Sequence, residues 1–384
     1  MKQIDILIAG AGLVGLALAA ALANTHYTVG IVDHLIPPTD TPSLDSRIYA
    51  ISPRSQRFLN QNEVWPYLST QRITAIRQMK IAEQETFFLH FDALEVGIDA
   101  LATTVENQCL QAALWRRLQD ADNIVYFMPH TLHTLLVKPE YAEVTLDNQQ
   151  VIHTKLLVGA DGAHSFVRAN MGSAVHIHDY QQQAIVANFC CERPHQGTAY
   201  QWFYPEGILA WLPLPNNKMS MVWSVDKVLA EELRVLPIEA LTQKVARLGG
   251  QKLGKLTMLG RPAAFPLYLT HVAQWVTPRL ALVGDAAHTL HPLAGQGVNL
   301  GFGDVEVLAR LLLAKGVDPG KRLLLRQYER ERREAIYKMQ GVTHALKKLF
   351  NNTHPILRPL RQLGLRCTDR VGFIKRQLMQ AALN

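Results

Sequence analysis

Apolar residues in this chain gather into short runs that end in glycine or in an acid. Ile4–Ala9 is such a run, broken only by Asp5, and it predicts a strand. A glycine turn follows, then a helix over Leu16–Ala23 and a second strand over Val29–Val32 that ends at Asp33. Further on, the pattern predicts a helix at Pro53–Gln61 and antiparallel strands at Ile73–Ala82 and Thr86–Phe91. Leu110, Leu114 and Leu118 recur at four-residue spacing and predict a helix over Asn107–Leu118. Strands are expected at Ile124–Phe127, Thr134–Val137, Ala142–Leu146 and Val151–Val158.

The middle of the chain is rich in β-branched and aromatic residues. Runs at Ala184–Cys191, Tyr200–Tyr204, Leu209–Leu212 and Met219–Val225 predict an antiparallel sheet. Its aromatic residues, Trp202, Phe203, Tyr204, Trp211 and Trp223, would form a large apolar face, either ordinary core or the wall of an aromatic-substrate pocket. A helical stretch near Pro237–Leu248 and strands around Lys255–Leu259 and Ala263–Leu267 lead to a buried strand at Leu280–Val283. From Val298 onward the pattern is helical, with breaks near Gly316–Gly320 and at Pro355. The fold class is therefore α/β: a split, Rossmann-like nucleotide-binding domain, an inserted antiparallel-sheet domain and a helical C-terminal region. The expected boundaries are 1–73, 95–178 and 271–320 for the first domain, 74–94 and 179–270 for the second, and 321–384 for the helical region.

With 384 residues, 48% of them hydrophobic, the chain has material for two packed domains. The net charge of +7 is uneven. Residues 315–384 carry 16 Lys and Arg against 5 Asp and Glu, which leaves the rest slightly acidic. Such a tail could meet a membrane surface, an acidic partner or nucleic acid, or be a solvated helical face. None of the four cysteines, Cys109, Cys190, Cys191 and Cys367, forms a CxxC pair, so a reducing, cytoplasmic setting is expected, with no metal. Neither a signal peptide nor a spanning helix is expected.

The chemistry concentrates in three stretches. In the first, Gly10-Ala11-Gly12-Leu13-Val14-Gly15 sits between strand and helix, with Asp33 at the end of the next strand. Gly10 permits a tight turn, Gly12 admits a diphosphate to the backbone, Gly15 lets helix and strand pack, and Asp33 can take ribose hydroxyls. In the second, Asp161-Gly162 closes a strand and leads into Ser165 and Arg168; alone this reads slightly better as a plain turn with Ser165 at the helix start. In the third, Gly284-Asp285 is followed by His288, His291, Pro292 and Gly295-Gln296-Gly297-Val298-Asn299 at a helix start. A carboxylate there can accept from sugar hydroxyls, and the helix start favours negative charge.

Together, GAGLVG with its downstream acid, VGADGAHSFVR and ALVGDAAHTLHPLAGQGVN resemble the fingerprints of the class A flavoprotein monooxygenases, the para-hydroxybenzoate hydroxylase-like fold. The resemblance spans essentially the whole chain. DSRIYAIS, VENQCLQAALW and HPLAGQGVNLGFGDV narrow it to the ubiquinone-biosynthesis hydroxylases. It implies FAD as cofactor, with Gly10, Ala11, Gly12 and Gly15 at the diphosphate and Asp33, in place of the usual Glu, at the ribose. It puts Arg47, Asp161 and Gly162 near the cofactor, along with Asn107, where many members have Arg. Asp285 falls at the ribityl chain, and Pro292 with Gly295, Gln296, Gly297, Val298 and Asn299 beside the ring.

The implied reaction is hydroxylation of a polyprenylated phenol or quinol with O2 and NADH or NADPH, through a flavin C4a-hydroperoxide. His291 is the candidate base, and His288 reads as structural. Partners implied are a multiprotein ubiquinone-biosynthesis complex and peripheral contact with the inner face of the membrane, without nucleic acid. Two other readings fit the same sequence: a hydroxylase of a small soluble aromatic acid, and a non-catalytic scaffold on the same fold.

Overall fold

A computed structural model describes residues 2–350 apart from 40, 42, 84–87, 290–296, 315 and 317, with the backbone alone at 88, 340 and 342–350. Its first sheet is built on Lys2–Ala9, which pairs in parallel with Val151–Gly159 on one side and Val29–Val32 on the other. Ile124–Phe127 extends the sheet beyond Val29–Val32, and Leu280–Leu282 extends it beyond Val151–Gly159. Strands buried on both faces must be apolar throughout, which is why these runs lack alternation. Helix Leu13–Leu22 is also apolar all round, and eight of its ten residues are buried. It packs between helices Asn107–Leu118 and Gly297–Leu312, so it has no solvent face to make polar.

The second sheet has eight strands, in the order His288–Thr289, Leu256–Val272, Val175–Cys191, Lys218–Asp226, Gly207–Leu214, Thr198–Tyr204, Gln78–Glu83 and Phe88–Asp92. All neighbours are antiparallel except Thr198–Tyr204 beside Gln78–Glu83, which is parallel. A small third sheet, Ile48–Ile51, Ala102–Glu106 and Thr74–Ile76, lies in the chain between elements of the two large ones. The fold class is the one expected.

Several expected elements change in detail. The run Ile73–Ala82 divides between two sheets: Thr74–Ile76 joins the small one and Gln78–Glu83 the large one. Arg77 lies at the break, its N–H donating to the Gly197 carbonyl at 2.9 Å. The two strands expected around Lys255–Leu259 and Ala263–Leu267 are one, Leu256–Val272, which runs through Pro262 and Pro266. Both prolines fit because this strand is paired on one side only over that length. The region near Pro237–Leu248 holds a second, earlier helix, Lys227–Val235, capped by Asp226, whose carboxylate accepts from the Leu229 N–H at 2.8 Å.

Helix Arg322–Phe350 packs on Gly297–Leu312, where Arg332 pairs with Asp304 and donates to the Leu300 carbonyl, and its Leu325, Tyr328 and Ile336 are buried. The side chains of Leu346–Phe350, and everything from 351 on including Pro355, lie outside the described residues. Among the described residues, no helix is long and apolar enough to cross a membrane.

Candidate active site

The glycine loop assigns each glycine a different task. Gly10 has φ of +106°, and a Cβ there would sit 2.4 Å from the Ala160 carbonyl oxygen. At Gly15 a Cβ would fall 2.0 Å from the Gly10 oxygen. Gly12 differs: a Cβ would meet nothing within 4 Å, and the residue lines the main cavity. It is also the N-cap of helix Leu13–Leu22, without a side-chain cap or an acid in the first turn. Free helical N–H groups therefore face an open space shaped for an anion. Asp33 braces this loop. Its carboxylate accepts from the Ala11 N–H at 2.6 Å and the Leu35 N–H at 3.0 Å, while the Ala11 carbonyl accepts from Gln111 at 2.8 Å. Oδ1 is also met by His34 Nδ1 at 2.8 Å, so Oδ2, bonded among the described residues to Ala11 alone, is the oxygen with a second lone pair for a ribose hydroxyl.

Asp161 closes the second motif. One of its oxygens accepts from the Val167 N–H at 3.2 Å; the other is buried without a partner. Burial raises its pKa above the usual carboxylate range. Gly162 turns the chain beside the cavity with φ of +78°. Arg168, buried, ties this motif to the third: it donates to the Ala286 carbonyl at 2.9 Å and to that of Ala163. Its side chain lines the cavity, a role the sequence reading did not assign to it.

Asp285 follows Gly284 at the end of strand Leu280–Leu282 and opens into the same cavity. Enclosure by protein on its other sides raises its pKa, partly offset by His288 and Arg47. Arg47 lies opposite, its guanidinium 4.8 Å from the centre of the Phe265 ring. The Arg47 carbonyl accepts from the N–H of Asn107, the first residue of its helix, at 2.9 Å, and both side chains line the cavity. Burial also pushes the phenol of Tyr49 up.

At the start of helix Gly297–Leu312, Gly297 and Val298 line the cavity too. Asn299 instead ties the helix to the small sheet: its oxygen accepts from the Ser52 N–H at 2.9 Å, and its amide donates to the Ala50 carbonyl at 2.9 Å. His291, Pro292, Gly295 and Gln296 lie outside the described residues.

Behind this site is a buried ionic cluster. Asp304, fully buried, pairs with His288 and with Arg332, both at 2.7 Å, and accepts from the Gly284 N–H at 3.0 Å. Burial alone would raise its pKa, but His288 and Arg332 together hold it below the usual range. His288 is thus a structural histidine, as its position in the loop suggested. The sequence signal for Asp304 is weak: it and Glu306 are two acids in a mostly apolar helical run, and spacing does not say which is buried.

The cavity has a volume of about 1180 Å³ and continues from the glycine loop and Asp285 onto one face of the eight-stranded sheet. Strand alternation divides the aromatic residues. Trp202, Trp211 and Trp223 are at most 1% exposed and pack in the core under helices Lys227–Val235 and Ile238–Leu248. The opposite face, with Ala210, Leu212, Val222 and Val186, floors the cavity. The tryptophans are therefore core, and the pocket wall is built from smaller residues between them.

A strand-ending glycine turn with an open helix N-terminus and a second carboxylate across the cavity suit a ligand with a diphosphate and sugar hydroxyls. The chain belongs to the FAD-binding domain family, which matches residues 3–342, and it is a FAD-dependent monooxygenase. Among its relatives, it is 37% identical to 3-demethoxyubiquinol 3-hydroxylase of Escherichia coli (strain K12), over 99% of this chain and 98% of that protein. It is 36% identical to ubiquinone hydroxylase UbiL of Rhodospirillum rubrum, over 100% of this chain and 90% of that protein. The solved structure of p-nitrophenol 4-monooxygenase PnpA from Pseudomonas putida has the same fold, with a TM-score of 0.82 at 17% identity, covering 100% of this chain and 99% of that one.

Proposed function

We propose that this enzyme hydroxylates the ring of a polyprenylated phenol or quinol in ubiquinone biosynthesis, with O2 and with NADH or NADPH as reductant. The observation that carries this reading is the single cavity that joins the glycine loop and Asp285 to an extended apolar floor. Near full-length similarity to ubiquinone hydroxylases supports it.

Bound FAD supplies the redox chemistry and oxygen activation. The residues of 1–73, 95–178 and 271–320 carry the cofactor, and those of 74–94 and 179–270 carry the substrate. The N–H groups at Gly12 and the start of helix Leu13–Leu22 bind the diphosphate, with Gly10, Ala11 and Gly15 shaping the loop. Asp33 accepts from the ribose and Asp285 from the ribityl hydroxyls. Arg47, Asn107, Asp161 and Gly162 line the route between the two ends. Backbone N–H groups from Gly295 to Asn299, at a helix start, stabilise negative charge on the ring system, and Pro292 packs beside it. The apolar floor excludes water from the reacting ring. His291 takes the phenol proton.

A small soluble aromatic acid is the weaker reading. Such a substrate needs a cation for its carboxylate; among the described lining residues no Lys or Arg lies on the floor strands themselves, and Arg47, stacked on Phe265, is the one arginine at the floor's edge.

The test is turnover of the yellow holoenzyme with NADH or NADPH, a prenylated phenol and isotopically labelled O2. One labelled oxygen atom in the ring product is expected. Reductant consumption that yields only hydrogen peroxide with every prenylated phenol would sink the proposal. His291→Ala is expected to lower hydroxylation while FAD stays bound; full activity would remove His291 from the mechanism.

A further inference from the structure

Directly paired residues in a sheet share a face, so the strand registers define the cavity floor row by row. Gln201 pairs with Ala210, Ala210 with Val222, and Val222 with Val186. One row away, Ile208 pairs with Ser224, and Ser224 with Ala184. All seven line the cavity. Two of them, Gln201 and Ser224, are polar, and they are 6% and 4% exposed. Neither side chain has a hydrogen-bond partner among the described residues, and neither has its polar atoms sealed off from the cavity. A buried amide without a partner is costly, and its neighbours on the floor, Ala210 and Ile81, can offer it nothing.

The two side chains stand two strands and one row apart, on the order of 12 Å between their Cα atoms by standard sheet spacing. Between them lie Ala210 and Val222, small enough to leave room for a flat ring. That separation suits an aromatic ring with an oxygen at each end and a hydrogen bond on either side.

We infer that the Gln201 amide and the Ser224 hydroxyl bind the oxygen substituents of the substrate ring and set its orientation on the floor. The inference rests on the proposed aromatic-ring hydroxylase reading and names the residues that select an oxygenated ring over a bare one. A site that hydrogen-bonds a ring oxygen rejects an analogue lacking it, because the site's own polar groups are then left unpaired.

The probes are 2-octylphenol, 2-octylhydroquinone and octylbenzene, and the readout is perturbation of the flavin absorbance of the oxidised holoenzyme. The wild-type enzyme should bind both oxygenated rings at least tenfold more tightly than octylbenzene. Gln201→Met, close in shape but without the amide, should remove most of that preference and leave the affinity for octylbenzene within about twofold. Ser224→Ala should cost the hydroquinone more than the phenol. FAD content and the unfolding midpoint report on folding in each variant, and Ser224→Ala, the smaller change, serves if Gln201→Met does not fold. Unchanged discrimination in both variants, or an equal loss for all three probes, would overturn the inference and leave packing as the role. Failure of the function itself would look different: no oxygen incorporation into any phenol by the wild-type enzyme.

Discussion

Gly12 and Gly15 are three residues apart and should fail in different ways. At Gly15 a methyl group would strike the Gly10 carbonyl at 2.0 Å, so Gly15→Ala must push the helix off the strand. Overpacking of that kind costs about 1–3 kcal/mol and should appear as a lower unfolding midpoint in the apoprotein. At Gly12 the methyl group meets no protein atom within 4 Å. Gly12→Ala should leave apoprotein stability within about 1 kcal/mol, because helix N-caps tolerate the change modestly, yet weaken FAD binding at least tenfold. Equal effects of the two substitutions on stability would disprove the division of labour. Asp285 sets a pH dependence. Enclosure raises its pKa, so it takes up a proton at higher pH than an ordinary carboxylate. If the ionised form accepts from the ribityl chain, FAD affinity should fall on acidification, beginning above the usual carboxylate range. In Asp285→Asn that acid limb should be absent from a fluorescence titration of FAD release.

Individual elements meet at Asp304. It sits in helix Gly297–Leu312, Arg332 in helix Arg322–Phe350, and His288 just after the turn that presents Asp285. The cluster therefore fixes the last helix to the back of the cofactor loop. Replacing Arg332 with Met leaves a buried carboxylate short of one partner, and about 3–5 kcal/mol of stability should be lost in urea unfolding. Changing Asp304 to Leu as well should restore part of it, since no lone charge then remains. The pH dependence has a definite sign. The Asp304 pKa is depressed in the folded state, so its contribution is present above the unfolded carboxylate pKa and is lost as pH falls through the folded value. In Asp304→Leu that part of the acid-induced fall in stability should vanish.

The whole molecule closes its cavity with segments from both ends of the chain. Gly12, Arg168, Asp285 and Val298 come from widely separated stretches, and the floor from strands between Gln78 and Phe265. A ligand that touches all of them stabilises only the assembled protein. Saturating FAD, at about 100 times its Kd, should add about 2.7 kcal/mol to stability and raise the unfolding midpoint of the apoprotein by several degrees. The charge of the whole chain suggests a second test. Residues 351–384 are basic, with six Lys and Arg against one Asp. A chain ending at Phe350 keeps the Asp304 cluster; if the tail carries peripheral membrane contact, this chain should float less with anionic liposomes than the full one. Equal flotation would remove the tail from any membrane role.

Local rules determined much of this protein. Strand, glycine loop, helix and acid follow in order from apolar runs and turn chemistry, although the strand begins at Lys2 and the helix at Leu13, ahead of the expected Ile4 and Leu16; helix Asn107–Leu118 matched its leucine spacing. The three glycine-and-carboxylate motifs were visible because each is contiguous. What needed the tertiary structure was whatever depends on pairing across distance. Alternation in the aromatic strands showed that two faces exist, but which face meets the cavity depends on helices Lys227–Val235 and Ile238–Leu248 covering the other. Gln201 and Ser224 looked like ordinary strand residues until registers spanning four strands set them on one apolar floor. Asp304 found its partners only when two helices and a turn met. Sequence spacing encodes local geometry; burial and the partners of a buried charge are properties of the packed whole.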